Sequence, residues 1–173
     1  IQGSSLILLA QGLFKKRFIT LSELAPALRK QIRYRVSGSE NADDIAEGRE
    51  QALAVVKGKS VAELKQACRE IVDNRMLEKS YADTIELAAM HLAAGQQVWL
   101  VSATPVQIGQ ALAETLGFTG ALGTVAEEKD GKFTGRLVGD ILHGPGKKHA
   151  VAALAALQQL DLSKCTAYSD SIN

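Results

Sequence analysis

An α/β protein, with a block of helices ahead of a parallel-sheet core, is predicted by three features of this 173-residue chain. The first is the unbroken apolar run Val98–Val101, which ends abruptly in Ser102-Ala103-Thr104-Pro105. Short runs of this kind suit a strand buried on both faces. The second is the alternation of strand and helix patterns from Gln97 onward. The third is the helical spacing of apolar residues through the first ninety-odd positions, with no strand signal among them.

In order along the chain, residues 4–14 read as a short apolar helix, expected to be buried. A second helix is expected from Thr20, where Thr20-x-x-Glu23 forms a capping box. Its apolar stripe is Leu21, Leu24, Leu28 and Ile32, Pro26 falls inside it, and Gly38 ends it. A third runs from about Asn41 to Val56 on Ile45, Ala52, Leu53 and Val56, with Arg49 in the missing place on that stripe. An arginine there either snorkels to water or meets an anion. The fourth starts at the capping box Ser60-x-x-Glu63 and carries Val61, Leu64, Cys68 and Ile71. The fifth spans about Tyr81 to Ala94, with Ile85, Ala88, Ala89 and Leu92 on one face and Gly95 as its stop. Amphipathic helices in series with short links predict a small bundle over residues 1–80, with a hinge before Tyr81.

The core is expected over 81–173. After the Val98–Ala103 strand comes a helix on Ile108, Ala111, Leu112 and Leu116, with Thr104 as its cap, Pro105 in its first position and Gly117 as its stop. Ala121–Glu127 and Lys132–Leu137 flank Asp130-Gly131, a hairpin turn pair. A helix from about Lys147 to Leu160 follows Gly144-Pro145-Gly146, and Cys165–Ser169 reads as a last strand.

The net charge of +1, from 20 basic and 19 acidic residues, gives no support to a nucleic-acid surface or a polybasic membrane patch. The longest early apolar run, Leu6–Ala10, is far too short to span a bilayer. The partner expected is a small molecule, and oligomeric state is left open. Cys68 and Cys165 lie far apart in apolar contexts, which favours buried free thiols in a reducing, cytoplasmic compartment over a disulfide. His91, His143 and His149 show no metal-ligand spacing.

Three loops are expected at one edge of the sheet. One ends in Ser102, one holds Lys147 and Lys148 at a helix start, and one ends in Asp170. Ligands of open α/β sheets bind at the carboxyl ends of strands, where free N–H groups favour anions. Ser102 and the Ala103 N–H are therefore read as phosphate ligands; the other reading is a strand end that only turns the chain. A hydroxyl, an ammonium and a carboxylate make a phosphate site if the carboxylate holds a divalent cation such as Mg²⁺. Taken singly, the lysine and the aspartate are also compatible with a solvated helix start and a turn.

Val98-Trp-Leu-Val-Ser-Ala-Thr-Pro105, then Gly144-Pro-Gly-Lys147, then Ala167-Tyr-Ser-Asp-Ser-Ile-Asn173 resemble the second, third and fourth motifs of the haloacid dehalogenase superfamily. Within it, the chain is most similar to the subfamily of phosphoserine phosphatases and related small phosphomonoesterases. The Asp130-Gly-Lys-Phe-Thr-Gly135 hairpin and the helices ahead of the serine motif fit the same pattern. The resemblance implies a Rossmann-like parallel-sheet core with an inserted helical bundle as cap. It implies Mg²⁺-dependent hydrolysis of a small phosphorylated metabolite through a phosphoaspartate. It assigns Ser102 to the phosphate, Lys147 to phosphate and nucleophile, Asp170 to the magnesium and Asn173 to the last motif. Lys147 is preferred because it directly follows Gly144-Pro-Gly146 and its separation from Asp170 suits the family; Lys148 stays open.

Two departures shape the expectations. The Asp-x-Asp strand end of the first motif, which supplies nucleophile and general acid/base, is absent and expected just before Ile1. The last acidic residue is expected just after Asn173. The 173 residues alone are therefore expected to be inactive and poorly stable, and the parent protein active. The glutamate that meets the substrate ammonium in phosphoserine phosphatases has no counterpart in Ile1-Gln-Gly-Ser-Ser-Leu-Ile7. Arg49 is the candidate for a carboxylate or second phosphate. A phosphotransferase, and a non-catalytic interaction module on a degenerate phosphatase fold, are the alternatives.

Overall fold

The computed structural model describes residues 1–2, 4–23, 25 and 42–169, with backbone alone for 42–48. The expectations for Leu24, Pro26, Leu28, Ile32, Gly38, Asn41, Asp170 and Asn173, and for the Ile45 side chain, lie outside the described residues.

Helix α1 (Ser5–Lys15) opens the chain. Leu8, Leu9, Gly12 and Leu13 are buried, but Leu6 and Phe14 are exposed, so only one face is apolar-packed and not the whole helix. The Thr20 capping box forms. The Thr20 amide donates to Glu23 Oε2 at 2.6 Å, and the Glu23 amide to Thr20 Oγ1 at 3.3 Å. Helix α2 is Ala42–Val56. Helix α3 (Val61–Ile71) is capped by Ser60, whose hydroxyl accepts from the Glu63 amide as the sequence spacing requires. It buries Val61, Leu64, Ala67, Cys68 and Ile71. A π-helical turn (Val72–Met76) and a 3₁₀ turn (Leu77–Lys79) lead to α4 (Ala82–Ala93), none of whose residues is fully buried.

Strand β1 (Trp99–Pro105) runs parallel to β2 (Gly120–Thr124), with α5 (Val106–Leu116) as the crossover. Strands β3 (Ala126–Lys129) and β4 (Lys132–Leu137) form a separate antiparallel hairpin. Asp130 and Gly131 both take positive φ, 52° and 75°, which a two-residue hairpin turn demands. The expected single strand 121–127 is thus two strands. Residues 120–124 join the parallel sheet and 126–129 join the hairpin. A hydrogen-bond ladder, not the apolar pattern, decides where the chain changes partner. Helix α6 (Pro145–Leu157) starts two residues earlier than expected, with Gly144 as cap and Pro145 inside its first turn.

One core joins both halves of the chain. Leu8, Leu13, Cys68, Ile71 and Met76 pack with Ile108, Ala111 and Phe133. Helix α3 packs directly on α5 and meets the hairpin turn, where the Val61 amide donates to the Gly131 carbonyl at 3.0 Å, and α1 packs on α3. No helix of the described residues is long and apolar enough to cross a membrane.

Two expectations fail. Cys165–Ser169 is not a strand; a 3₁₀ turn (Leu162–Lys164) precedes it and, among the described residues, no strand pairs with it. A strand is made by its ladder, and an apolar pattern without a neighbour supplies none. For the same reason Cys165 is exposed, while Cys68 is fully buried; both thiols are free. Burial pushes the Cys68 thiol up to about 12 from its ordinary value near 9.

Candidate active site

The carboxyl end of β1 is where the sheet stops being regular. The β1–β2 register breaks between Val101 and Pro105, around Ser102. Released from the ladder, the Ser102 hydroxyl turns along its own strand. Its Oγ accepts from the Thr104 amide at 3.2 Å and from the Thr104 hydroxyl at 3.0 Å. Thr104 is therefore not the cap of α5. Pro105 takes the N-cap position and the helix begins at Val106. Ser102 and Ala103 are half-buried.

A residue that the sequence reading passed over ties this strand end to the lysine-bearing turn. Thr124, the last residue of β2, donates its hydroxyl to the Ala103 carbonyl at 2.7 Å. The same hydroxyl accepts from the Leu142 amide at 3.1 Å. Leu142 is buried, and two residues later the chain reaches Gly144 and α6. The signal that pointed to Ser102, a hydroxyl residue closing an apolar strand, is also present in Gly120-Ala-Leu-Gly-Thr124. Gly123 beside it allows close approach: a Cβ there would fall 2.7 Å from Val106 Cα and 2.8 Å from the Thr104 carbonyl.

Lys147 and Lys148 are exposed in the first turn of α6, which carries no acidic residue. Cations at a helix N-terminus are disfavoured by the aligned peptide dipoles, and an anion there is favoured. Helix α6 packs on β1.

Arg49 is exposed on α2 and lines a cleft of about 290 Å³ with Glu50, Leu53, Gly135, Arg136, Leu137 and Gly139. Among the described residues, no hydrogen bond joins it to Ser102 or Lys147. Arg136 is engaged elsewhere: its Nε donates to Glu127 Oε2 at 2.9 Å. The Thr134 hydroxyl and then this guanidinium hold the Glu127 carboxyl below its usual range.

A divalent cation was tested against the donors present. Among the described residues, no three His, Cys, Asp or Glu side chains gather to hold a metal ion. They do not by themselves compose a Mg²⁺ site.

A parallel strand pair joined by a helical crossover, with a separate hairpin and packed helices, defines an α/β domain, and comparison with known proteins names the family. The chain belongs to the haloacid dehalogenase-like hydrolases, whose profile it matches over residues 1–173. It is 50% identical over 173 residues to the phosphoserine phosphatase SerB1 of Mycobacterium tuberculosis, covering all of this chain and 56% of that protein. Among solved structures, it resembles a Bordetella pertussis protein of unknown function with a TM-score of 0.73 at 24% identity, covering 90% of this chain and 69% of the other. It also resembles a probable phosphoserine phosphatase from Vibrio cholerae, with a TM-score of 0.55 at 18% identity, covering 92% and 46%. Those likenesses establish the fold, a Rossmann-like core with added helices. The chain spans about half the length of the curated relatives it matches.

Proposed function

We propose that the full-length protein is a phosphomonoester hydrolase acting on a small phosphorylated metabolite. The observation that carries this reading is the Thr124 hydroxyl, which pins Ala103 and Leu142 together. It joins the half-buried Ser102–Ala103 strand end to the segment that leads into α6, which supports reading Ser102 and Lys147 as ligands of one anion. In this reading Ser102 Oγ leaves Thr104 and donates to a phosphoryl oxygen. The Ala103 N–H adds a second donor. Lys147 offsets negative charge as the phosphoryl group transfers. The covalent step belongs to an aspartate outside these 173 residues, forming an acyl phosphate that water then cleaves.

Mg²⁺ belongs to the same proposal, with Asp170 as the ligand this chain supplies and Asn173 as the asparagine of the last motif. When bound, the cation would neutralise phosphoryl charge. Residues 1–80 are assigned as the helical cap and 81–173 as the core. Because α1 and α3 share a core with α5, any closing movement is limited to what that packing permits. The name of the Mycobacterium tuberculosis relative supports a phosphoserine-like substrate. Arg49 is assigned to a carboxylate or second phosphate on it. A cytoplasmic location completes the proposal.

The test is phosphate release by the full-length protein with Mg²⁺ on a panel of phosphomonoesters. Ser102→Ala and Lys147→Met should each lower kcat/KM by about 100-fold, the scale for loss of one preorganised donor. Arg49→Ala should raise KM with kcat little changed. Trapping product with added alcohols in place of water would reveal a phosphotransferase. If Ser102→Ala and Lys147→Met both stay within twofold of wild type, the assignment of this strand end fails.

A further inference from the structure

The overall charge of +1 conceals a strongly biased stretch. Residues 15–35 contain seven basic residues (Lys15, Lys16, Arg17, Arg29, Lys30, Arg33 and Arg35) against the single acid Glu23. The described part of this stretch forms a fixed surface. The turn after α1 is held by the Phe18 amide donating to the Leu13 carbonyl at 2.9 Å. Lys59 Nζ donates to the Phe18 carbonyl at 2.7 Å and to Glu23 Oε1 at 3.1 Å. Lys59 and Lys16 are thus spent on internal partners, Lys16 pairing with Glu70. Lys15 and Arg17 are exposed and make no ion pair with any described residue. They line an open cleft of about 460 Å³ with Phe14, Ile19 and Thr20. The same segment exposes bulky apolar side chains: Phe14, which lines the cleft with these cations, is 38% exposed, and Leu21, next in the chain after the cleft-lining Thr20, is 64% exposed.

We infer that this face docks on the surface of a membrane containing anionic phospholipid. Free cations beside exposed phenylalanine and leucine match a headgroup layer above an acyl boundary: the charges meet lipid phosphates and the apolar side chains enter the boundary. A nucleic acid would use the cations but leave Leu21 unmatched, because an aliphatic side chain offers no stacking face. The turn is preorganised by the Lys59 and Glu23 contacts, so docking orders nothing further there. This surface is independent of Ser102 and Lys147, and a protein with no phosphatase activity would still show it.

The experiment is co-sedimentation of the full-length protein with vesicles of phosphatidylcholine alone or with 30% phosphatidylglycerol. Wild type should sediment with the anionic vesicles only, and added salt should release it. Each cation near such a surface contributes roughly fivefold in affinity, so Lys15→Gln with Arg17→Gln should weaken binding by about 30-fold. Leu21→Ser should weaken it at unchanged charge. The variants should keep the wild-type circular dichroism spectrum and hydrolysis of a soluble phosphomonoester. No sedimentation with anionic vesicles overturns the inference. So does binding that the double variant retains, or a duplex oligonucleotide bound equally by wild type and Leu21→Ser. Self-association lost in Leu21→Ser without vesicle binding would mean that a second copy occupies the face, and it also overturns the inference.

Discussion

Replacing Gly123 with alanine tests whether close packing of β2 on the turn after β1 holds the site. The added Cβ would lie 2.7 Å from Val106 Cα, 2.8 Å from the Thr104 carbonyl and 2.9 Å from the Val106 amide nitrogen. All three are backbone atoms, so no side chain can rotate away. Either β2 separates from β1, weakening the Pro105–Thr124 end of the ladder, or residues 104–106 shift. Overpacking of this kind costs about 1–3 kcal/mol. For a chain of this size that is about 2–12 °C in Tm. Gly109→Ala is the matched comparison. Its Cβ would meet only the Ala121 side chain, at 3.2 Å, inside a helix where alanine is favoured over glycine by about 1 kcal/mol. Thermal unfolding followed by circular dichroism should show a fall for Gly123→Ala and little change for Gly109→Ala. Because the shift falls one residue from Ala103, phosphate release by the full-length Gly123→Ala protein should also drop. A Gly123→Ala Tm within about 1 °C of wild type, or an equal fall in Gly109→Ala, would refute the packing argument.

Thr124→Val should destabilise by about 1–3 kcal/mol, since the Ala103 carbonyl loses its donor and the Leu142 amide its acceptor, while Thr124→Ser should keep both bonds; urea unfolding and exchange of the Leu142 amide report it. Ser60→Ala should cost about 1 kcal/mol through loss of the α3 cap, read from the urea midpoint. The Cys68 thiol is held neutral in the fold and ionises near 9 once unfolded, so its contribution is intact below about pH 9 and lost as pH rises toward 12. Wild type should therefore lose more stability than Cys68→Ala between about pH 8.5 and 10.5, and native-state alkylation should label Cys165 and spare Cys68.

The helices of the described residues were legible because each carries its own instructions. Ser60 and Glu63 start α3, and Val61, Leu64, Cys68 and Ile71 repeat at helical spacing. Asp130-Gly131 specifies its hairpin turn equally locally. Ser102 stands out for a related reason, since small hydroxyl residues closing an apolar run are an unusual local choice. What the pattern did not contain was partnership. Residues 121–127 look like one strand but divide between two sheets, and 165–169 look like a strand but join no sheet among the described residues. Thr104 has the composition of a cap but bonds back to Ser102. Thr124 went unread because its role is a bridge between Ala103 and Leu142, residues 21 and 18 positions away.

By itself, then, the sequence determined the helix starts, the hairpin turn, the apolar faces and the family to which the chain belongs, all of which are written within a few residues or in ordered motifs. Only the tertiary structure decided which strands pair, which thiol is buried and how Thr124 joins the end of β1 to Leu142. The physical reason is that hydrogen-bond ladders and buried contacts between distant segments depend on where the whole backbone goes, and no short window of side chains encodes that.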